Sequence, residues 1–468
     1  MINKTFKLLL TKKPSLRERF AIGKSLRKKV TRYSIGEFNP GSTRKSPIDI
    51  LISQAKSRIP EYIPIRYARM AVDPFAFFRG GAAIMANDLA GMASPEIIVQ
   101  LCGDMHISNF GFFSTSEHQL VLGINDFDET LPGNFDWDLK RLVASAMIAS
   151  QILGKDKTYG EMIVRNITKT YRHYLEQYIN TSFTELKHTY IDEKALKDVA
   201  IKNFRSGSQK YLEKLINKSR ENNNHGLLGK ITEATLAGTR LIENPPTIEH
   251  LTESAHGTDI NIIMNQGMNT YFNSLLIDQR FLLAKYQLLD YARKVVGIGS
   301  VGTSCWILYF EGNNHNDPLF LQAKEAQKSV LAPFFPKIKF ATEGERVVLG
   351  QSLIQGAPDL LLGYGKTSEK EFYVRQLRDM KGGISIGDNG INAQVLPDFA
   401  KLFGWALANA HARSGDAAIL AGYCGKSEEL DDALVKFSIS YSKQNEEDYG
   451  TFLRAIKSGK IPCATNKN

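Results

Sequence analysis

The chain has 468 residues, 43% hydrophobic and 23% charged, with a formal net charge of +10. That is long enough for two domains and apolar enough for a sizeable core, which excludes a mainly disordered or collagen-like polymer. No apolar run approaches the roughly eighteen residues of a bilayer span, and the N-terminus lacks a signal-peptide core, so a soluble, cytoplasmic protein without a transmembrane segment is expected.

The positive charge is gathered in residues 1–70, a basic leader with 17 Lys/Arg against 4 Asp/Glu. Lys12-Lys13, Arg27-Lys28-Lys29 and Arg44-Lys45 could touch nucleic acid or an anionic membrane. No aromatic residues are interleaved for base stacking, so the favoured expectation is a solvated, helical leader clamped on the body. Pro60 and Pro64 are expected to interrupt any helix where it ends. A Gly-rich block from Asp73 to Trp137 then carries a helix-like GAAIMANDLAGM and two strand-like runs, EIIVQLCGD and QLVLGINDF, separated by a loop.

Residues 138–290 read as mostly helical, including LKRLVASAMIASQIL and TYFNSLLIDQRFLLAKYQLLDYARKV, with breaks at RENNNHG and ENPPT. From 295 the texture becomes strand, turn and strand in KVVGIGSVGTSCWILYF, followed by the strand PLFLQAKEA. A helix at GERVVLGQSLIQ, strands at DLLLGYG and EFYVRQL, and the helix LPDFAKLFGWALANAHA complete the pattern, and the C-terminal fifty residues are helical too. The division expected is a leader over 1–70, a large catalytic lobe over 71–290, a small β-rich nucleotide lobe over 291–385 and a helical return segment over 386–468. Cys102, Cys305, Cys424 and Cys463 lie far apart with no CxxC pair or zinc spacing, so reduced thiols are expected.

Two constellations carry chemistry. The first runs Cys102-Gly103-Asp104-Met105-His106-Ile107-Ser108-Asn109, followed by Asp126-Phe127-Asp128. Phosphoryl transfer needs a carboxylate to receive the acceptor's proton, and amide and carboxylate oxygens to hold magnesium against phosphates. Asp104 fits the base. Asn109 and Asp126 fit the metal ligands, with Asp128 an equal candidate for the second carboxylate, and His106 fits an orienting role within the catalytic loop. Taken singly, G-D-x-H is an ordinary turn and D-F-D a hairpin end. The ordered set between strands favours a site.

The second is Gly297-Ile298-Gly299-Ser300-Val301-Gly302-Thr303. A dinucleotide fold would follow such glycines with a helix. Here CWILYF follows, a strand, as in a kinase-type glycine hairpin that approaches phosphates closely. Lys324 in the next apolar strand fits the phosphate-binding lysine, since an unpaired buried charge is costly. Gly297, Gly299, Ser300, Gly302 and Lys324 are therefore the expected nucleotide-binding residues. Arg79, in FFRG, suits either a phosphate or acceptor contact or an internal ion pair. His411, Arg413 and Asp416 suit helix-end capping.

Together RYARMAVDPFAFFRG, LCGDMHISNFG, NDFDETLPGNFDWDLKRL, ARKVVGIGSVGT, FLQAKEA, YVRQLRDMK and AHARSGD resemble the bacterial domain-of-unknown-function (DUF) family 2252, over most of residues 45–450. That family is grouped with the protein-kinase-like superfamily. CGDMHISN is similar to the catalytic loop of aminoglycoside and choline phosphotransferases, with Cys102 in place of its first His. The resemblance implies that Asp138 braces this loop. It also implies an α+β, two-lobed, protein-kinase-like fold, circularly permuted because the glycines and lysine follow the catalytic loop, with a helix-rich large lobe and a small β-rich lobe. The expected activity is ATP- and Mg²⁺-dependent phosphoryl transfer to an unknown hydroxyl acceptor. The alternatives are nucleotidyl transfer and a catalytically silent nucleotide-binding module. One departure stands out: EGERVVLGQSLIQ carries Glu343 and Glu345 only at its start, whereas a kinase helix offers the strand lysine a central Glu.

Overall fold

The computed structural model describes residues 11–41, 43–236, 238–245, 247–294, 301–387 and 390–464. The helices that frame the site are α1 (Leu16–Leu26), α2 (Phe135–Ile152), α3 (Lys157–Tyr178), α4 (Ile260–Ser274), α5 (Glu343–Gln355), α6 (Leu396–Ser414), α7 (Ala417–Cys424) and α8 (Glu429–Lys457). The strands are β1 (Ile98–Leu101), β2 (Phe110–Ser114), β3 (Leu120–Ile124), β4 (Leu131–Asn134), β5 (Ile191–Asp192), β6 (Thr232–Thr235), β7 (Gly238–Leu241), β8 (Ile248–Glu249), β9 (Gln287–Lys294), β10 (Cys305–Glu311), β11 (Pro318–Glu325), β12 (Gly363–Lys366), β13 (Glu371–Gln376) and β14 (Gly382–Gly383). The fold is α+β. A six-stranded sheet has the order β12-β13-β11-β10-β9-β8, a four-stranded sheet the order β14-β2-β3-β5, and β1-β4 and β6-β7 form two-stranded ladders.

The main core centres on α2, buried along almost its whole length from Phe135 to Ser150. A helix without a solvent stripe belongs in a protein interior, so its four charged residues, Asp136, Asp138, Lys140 and Arg141, must be satisfied there. Lys140 and Asp136 pair at 2.8 Å, and Ser94 donates to Asp136 at 2.6 Å. The other two reach the acidic loop described below. Helices α3 and α8 pack against α2, α6 packs against α3, and α4 packs on the far face of the large sheet through Tyr271.

The basic leader is tied to the body. Ser15 and Glu18 form a capping box that starts α1. Gly23 and Gly422 then let α1 and α7 meet backbone to backbone, for a Cβ at Gly23 would lie 1.9 Å from the Ile419 carbonyl oxygen. Arg19 pairs with Asp416 at 2.8 Å, Arg27 donates to the Tyr423 carbonyl at 2.9 Å, and Arg32 to the Cys424 carbonyl at 3.0 Å. Arg44 bridges Asp88 and Asp448, both buried, at 2.7 and 2.6 Å.

Several local expectations change. Pro60 and Pro64 begin helical turns, at Pro60–Tyr62 and Ile63–Met70, because a first-turn proline lacks only an N–H that has no intrahelical partner there. QLLDYARK is strand β9, since pairing with β10 overrides its helix-compatible composition. DLLLGYG contributes only Gly363 onward, to β12. The segment expected as a loop between the first two strands contains β2, which pairs with β3 as a hairpin, while β1 pairs with β4. The large sheet also takes in β8 and β9 from before residue 291. Cys102, Cys305, Cys424 and Cys463 are all free thiols.

Candidate active site

The acidic wall of the site is built by the loop after β1. Gly103 has φ +87°, and a Cβ there would stand 2.3 Å from the Glu129 carbonyl oxygen, so only glycine fits the turn. Asp138, in the first turn of α2, accepts hydrogen bonds from the backbone N–H of Cys102 at 2.7 Å and of Gly103 at 3.0 Å. Asn109 stitches the two acidic segments together. Its Oδ1 accepts from the Asp126 N–H at 2.8 Å, and its Nδ2 lies 3.2 Å from the carbonyl oxygens of Asp104 and Asp126 and from the Cys102 sulfur.

Asp104 faces a buried arginine. Arg141 Nε donates to Asp104 Oδ1 at 2.6 Å, while its Nη2 donates to the Phe78 carbonyl and its guanidinium stacks 4.3 Å from the Phe78 ring. His106 lies behind, its Nε2 3.8 Å from Asp104 Oδ2. Burial, helped by Arg79 and Arg141 and opposed by Asp104, pushes the imidazole down to about 3, so it is neutral at ordinary pH. Such a group carries no charge to exchange at ordinary pH, and its buried Nδ1 has no hydrogen-bond partner among the described residues.

The opposite wall is one face of the six-stranded sheet. Cys305, Lys324 and Tyr373 are register partners across β10, β11 and β13, so their side chains share that face. Lys324 is only 4% exposed, and its Nζ lies 2.7 Å from Asp128 Oδ2 and 3.6 Å from Asp126 Oδ1. Tyr373 donates to Asp128 Oδ1 at 2.7 Å, and Arg375 donates to the Asn125 carbonyl at 2.9 Å. Burial alone would lower the Lys324 ammonium, but Asp126 and Asp128 hold it well above the usual lysine range. Burial raises the Asp126 carboxyl, yet Lys324, Arg375 and Lys381 together bring it below its ordinary value. Asp126 is half-exposed, and its buried Oδ1 accepts no hydrogen bond among the described residues.

The expected residues therefore divide. Asp104, His106, Asn109, Asp126, Asp128 and Lys324 converge on one place, although Lys324 lies 196 positions from Asp128. Gly297, Gly299 and Ser300 lie outside the described residues. Gly302 adopts φ +90°, and its carbonyl accepts from the Ile59 N–H at 2.8 Å, so the end of that segment is anchored to the leader. Asn109 acts as a brace between loops. Of the three residues expected at a metal, Asp126 is the one with a carboxylate oxygen lacking a hydrogen bond, and among the described residues no three His, Cys, Asp or Glu side chains cluster around a common point.

Helix α5 contributes a cation instead of a central carboxylate. Arg346 pairs with Glu343 at 2.6 Å and donates to the carbonyl oxygens of Thr130 at 2.7 Å and Asp128 at 2.9 Å. Arg79 has no carboxylate within 4.0 Å among the described residues, so the internal ion pair entertained for it does not form there. His411 and Arg413 do more than cap: His411 Nδ1 meets the Tyr171 hydroxyl at 2.8 Å with Nε2 3.6 Å from Asp138, and Arg413 donates to the Ile354 carbonyl at 2.7 Å. Asp416 caps α7. Arg141, Tyr373, Arg375 and Lys381 were assigned no role from the sequence. All four lie in the DLKRL and YVRQLRDMK segments that carry the family resemblance.

The other face of the same strands holds a groove of about 1290 Å³, lined by Trp306, Leu308, Ala323, Phe372 and Val374 together with Met264 of α4. Neither Lys324 nor the acidic loop reaches it, because strand side chains alternate between faces.

Residues 58–455 match the family described as an uncharacterized protein conserved in bacteria (DUF2252), and the chain belongs to that family. No curated protein and no solved structure matches it. Among the described residues, no helix is long and apolar enough to cross a membrane.

Proposed function

We propose that the chain is an ATP- and Mg²⁺-dependent phosphotransferase acting on a hydroxyl of a small molecule or protein, built as a circularly permuted, two-lobed, protein-kinase-like fold. The observation that supports this is the pairing of Lys324 with the Asp126-Phe127-Asp128 loop. Kinases bring a glycine loop, a strand lysine and then a helix to a catalytic aspartate and metal-binding carboxylates. Here β9, the glycine segment, β10, β11 and α5 follow in that order, and the acidic loop precedes them.

In this reading Arg141 fixes Asp104 through Oδ1 and leaves Oδ2 to receive the acceptor's proton. Lys324 exchanges Asp128 for the α- and β-phosphates, and Gly297, Gly299, Ser300 and Gly302 cover them. Magnesium, when bound, neutralises charge on the β- and γ-phosphates. Asp126 would anchor it, with Asn109 and Asp128 beside it. Magnesium is commonly held by one or two carboxylates together with substrate phosphates and water, so a ready-made cage of three acidic ligands is not needed.

A silent nucleotide-binding module is the second reading, favoured by α5. Its two acidic residues are engaged elsewhere, Glu343 with Arg346 and Glu345 with the Ala341 N–H, so the helix offers Lys324 no carboxylate. Thermal stabilisation by Mg-ATP, compared with Mg-GTP and with Mg²⁺ alone, tests the shared premise, since a ligand at a hundredfold its Kd adds about 2.7 kcal/mol of apparent stability. ATP turnover abolished by Asp104→Ala with binding retained supports the transferase. Binding without turnover supports the silent module. No stabilisation by millimolar Mg-ATP sinks both.

A further inference from the structure

Every strong cation at the site except two has a hydrogen-bonded partner. Arg141 holds Asp104 and the Phe78 carbonyl, Lys324 holds Asp128, Arg375 holds the Asn125 carbonyl, and Arg346 holds Glu343 and three carbonyls. Arg79 and Lys381 show no side-chain hydrogen bond among the described residues, and Arg79 Nε is buried without a partner. Buried Nε atoms without a partner also occur at Arg58 and Arg375, whose guanidinium groups donate elsewhere; a largely buried guanidinium that donates nowhere is destabilising, so a native fold that keeps one invites a ligand.

The place of Arg79 is fixed by its helix. Residues Pro74–Gly80 start at an Asp73 cap. They are pinned beside the acidic loop at three points, one on the loop and two on Arg141 of α2: Phe75 meets the His106 ring at 6.4 Å, the Phe78 carbonyl accepts from Arg141, and the Phe78 ring lies under the same guanidinium. Arg79 follows directly. Burial lowers its guanidinium from the ordinary value, and the carboxylates that oppose this are Asp104 and Asp126, then Asp73. It therefore feels the base and the metal-binding carboxylate together while contacting neither within ion-pair range.

We infer that Arg79 is a catalytic residue of the phosphotransferase, donating to the oxygens of the phosphoryl group as it passes from nucleotide to acceptor. This rests on the proposed reaction. In it the acceptor O–H gives its proton to Asp104, the acceptor oxygen bonds to the γ-phosphorus, and the bond to the bridging oxygen breaks, leaving its electron pair on ADP. Negative charge collects beside Asp104 and Asp126, two carboxylates that would repel it, and the unpaired Arg79 guanidinium, which lies within the field of both, offsets that repulsion. A donor aimed at the charge that develops in a transition state contributes about 10²–10³ in kcat.

The test compares full-length wild type, Arg79→Met, Arg79→Lys and Asp104→Asn. The readouts are Mg-ATP hydrolysis and affinity for Mg-ATP and for Mg-ADP with aluminium fluoride, a mimic of the phosphoryl group in flight. Thermal unfolding monitors integrity. The expected result for Arg79→Met is a loss of about 100-fold or more in kcat, with more than tenfold weaker binding of the mimic, Mg-ATP affinity within threefold and partial recovery in Arg79→Lys. Turnover and mimic affinity within threefold of wild type in Arg79→Met, while Asp104→Asn abolishes turnover, overturn the role of Arg79 and leave the transferase standing. Equal losses for ATP and mimic also overturn it, since they mark a ground-state or folding effect. Should wild type bind ATP without hydrolysing it, the mimic comparison alone decides. Wild type that binds neither nucleotide overturns the inference and the reaction together.

Discussion

The two walls of the site are stabilised in different ways. On the acidic wall, backbone and side chains satisfy one another: Asp138 holds two N–H groups of the turn, Asn109 ties Asp104 to Asp126, and Arg141 fixes Asp104. On the sheet wall the main partners are charges, and Arg375 there opposes the ammonium groups both of Lys324 and of Lys381, which lies in the segment leading into β14. Charge-assisted bonds across a cleft can be exchanged for phosphate oxygens, whereas a turn held by its own N–H groups cannot give up its partner without collapsing. The acidic wall is thus the rigid template, and the sheet wall is the part that a ligand would complete.

The largest effect should come from the template. Asp138→Ala leaves the N–H groups of Cys102 and Gly103 buried and unpaired beside His411. The expected cost is about 2–4 kcal/mol of global stability, read by urea denaturation. A loss under about 0.5 kcal/mol would mean that the turn does not depend on α2.

A smaller change is expected across the cleft. Lys324→Met leaves Asp126 and Asp128 facing each other, but both reach solvent, at 49% and 31% exposure, so the expected cost is about 1–2 kcal/mol at pH 7. The pH dependence has a definite sign. The folded Asp126 carboxyl lies below its ordinary value, so its contribution is present above the unfolded carboxylate range and fades as pH falls through the folded value. The gap between wild type and Lys324→Met should therefore narrow between pH 7 and pH 3. An equal gap at both ends would show that the lysine acts by packing alone.

Much of the site was legible because its chemistry is concentrated in short motifs. Asp104, Asp126 and Lys324 stood out by residue type and spacing. What spacing could not convey is how a side chain is engaged. Asn109 has the chemistry of a metal ligand, yet its amide is drawn into both acidic segments because the β2-β3 hairpin brings Asp126, seventeen residues on, back beside it. Arg141 stands among other charged residues at the start of an otherwise apolar helix, so spacing does not single it out, and its partner, Asp104, is 37 residues away. The β9 strand was hidden for a related reason. QLLDYARK has neither a breaker nor clean alternation, and only pairing with β10 makes it extended. The α+β class survived these misses because β10 and β11 are short, apolar runs rich in β-branched and aromatic residues and α6 is a long helical segment.

The smallest expected effect concerns Lys381, just before β14 and beside Arg375 and Asp126, and it has the opposite sign. Burial, Arg375 and Lys324 depress its ammonium to about 7, against the pull of Asp126 and Asp359. Between that value and the ordinary 10.5 the unfolded chain binds a proton that the folded chain does not, so this residue's contribution to stability rises with pH across the interval. Lys381→Met removes the cost of holding that charge among other cations. It should stabilise the protein by about 1 kcal/mol at pH 6, and the advantage should disappear as pH approaches 10. A triphosphate would supply the missing counter-charge, so Mg-ATP should raise the stability of wild type more than that of Lys381→Met at pH 6. Equal increments would place Lys381 outside the field of the bound nucleotide and confine the exchangeable charge to Lys324 and Arg375.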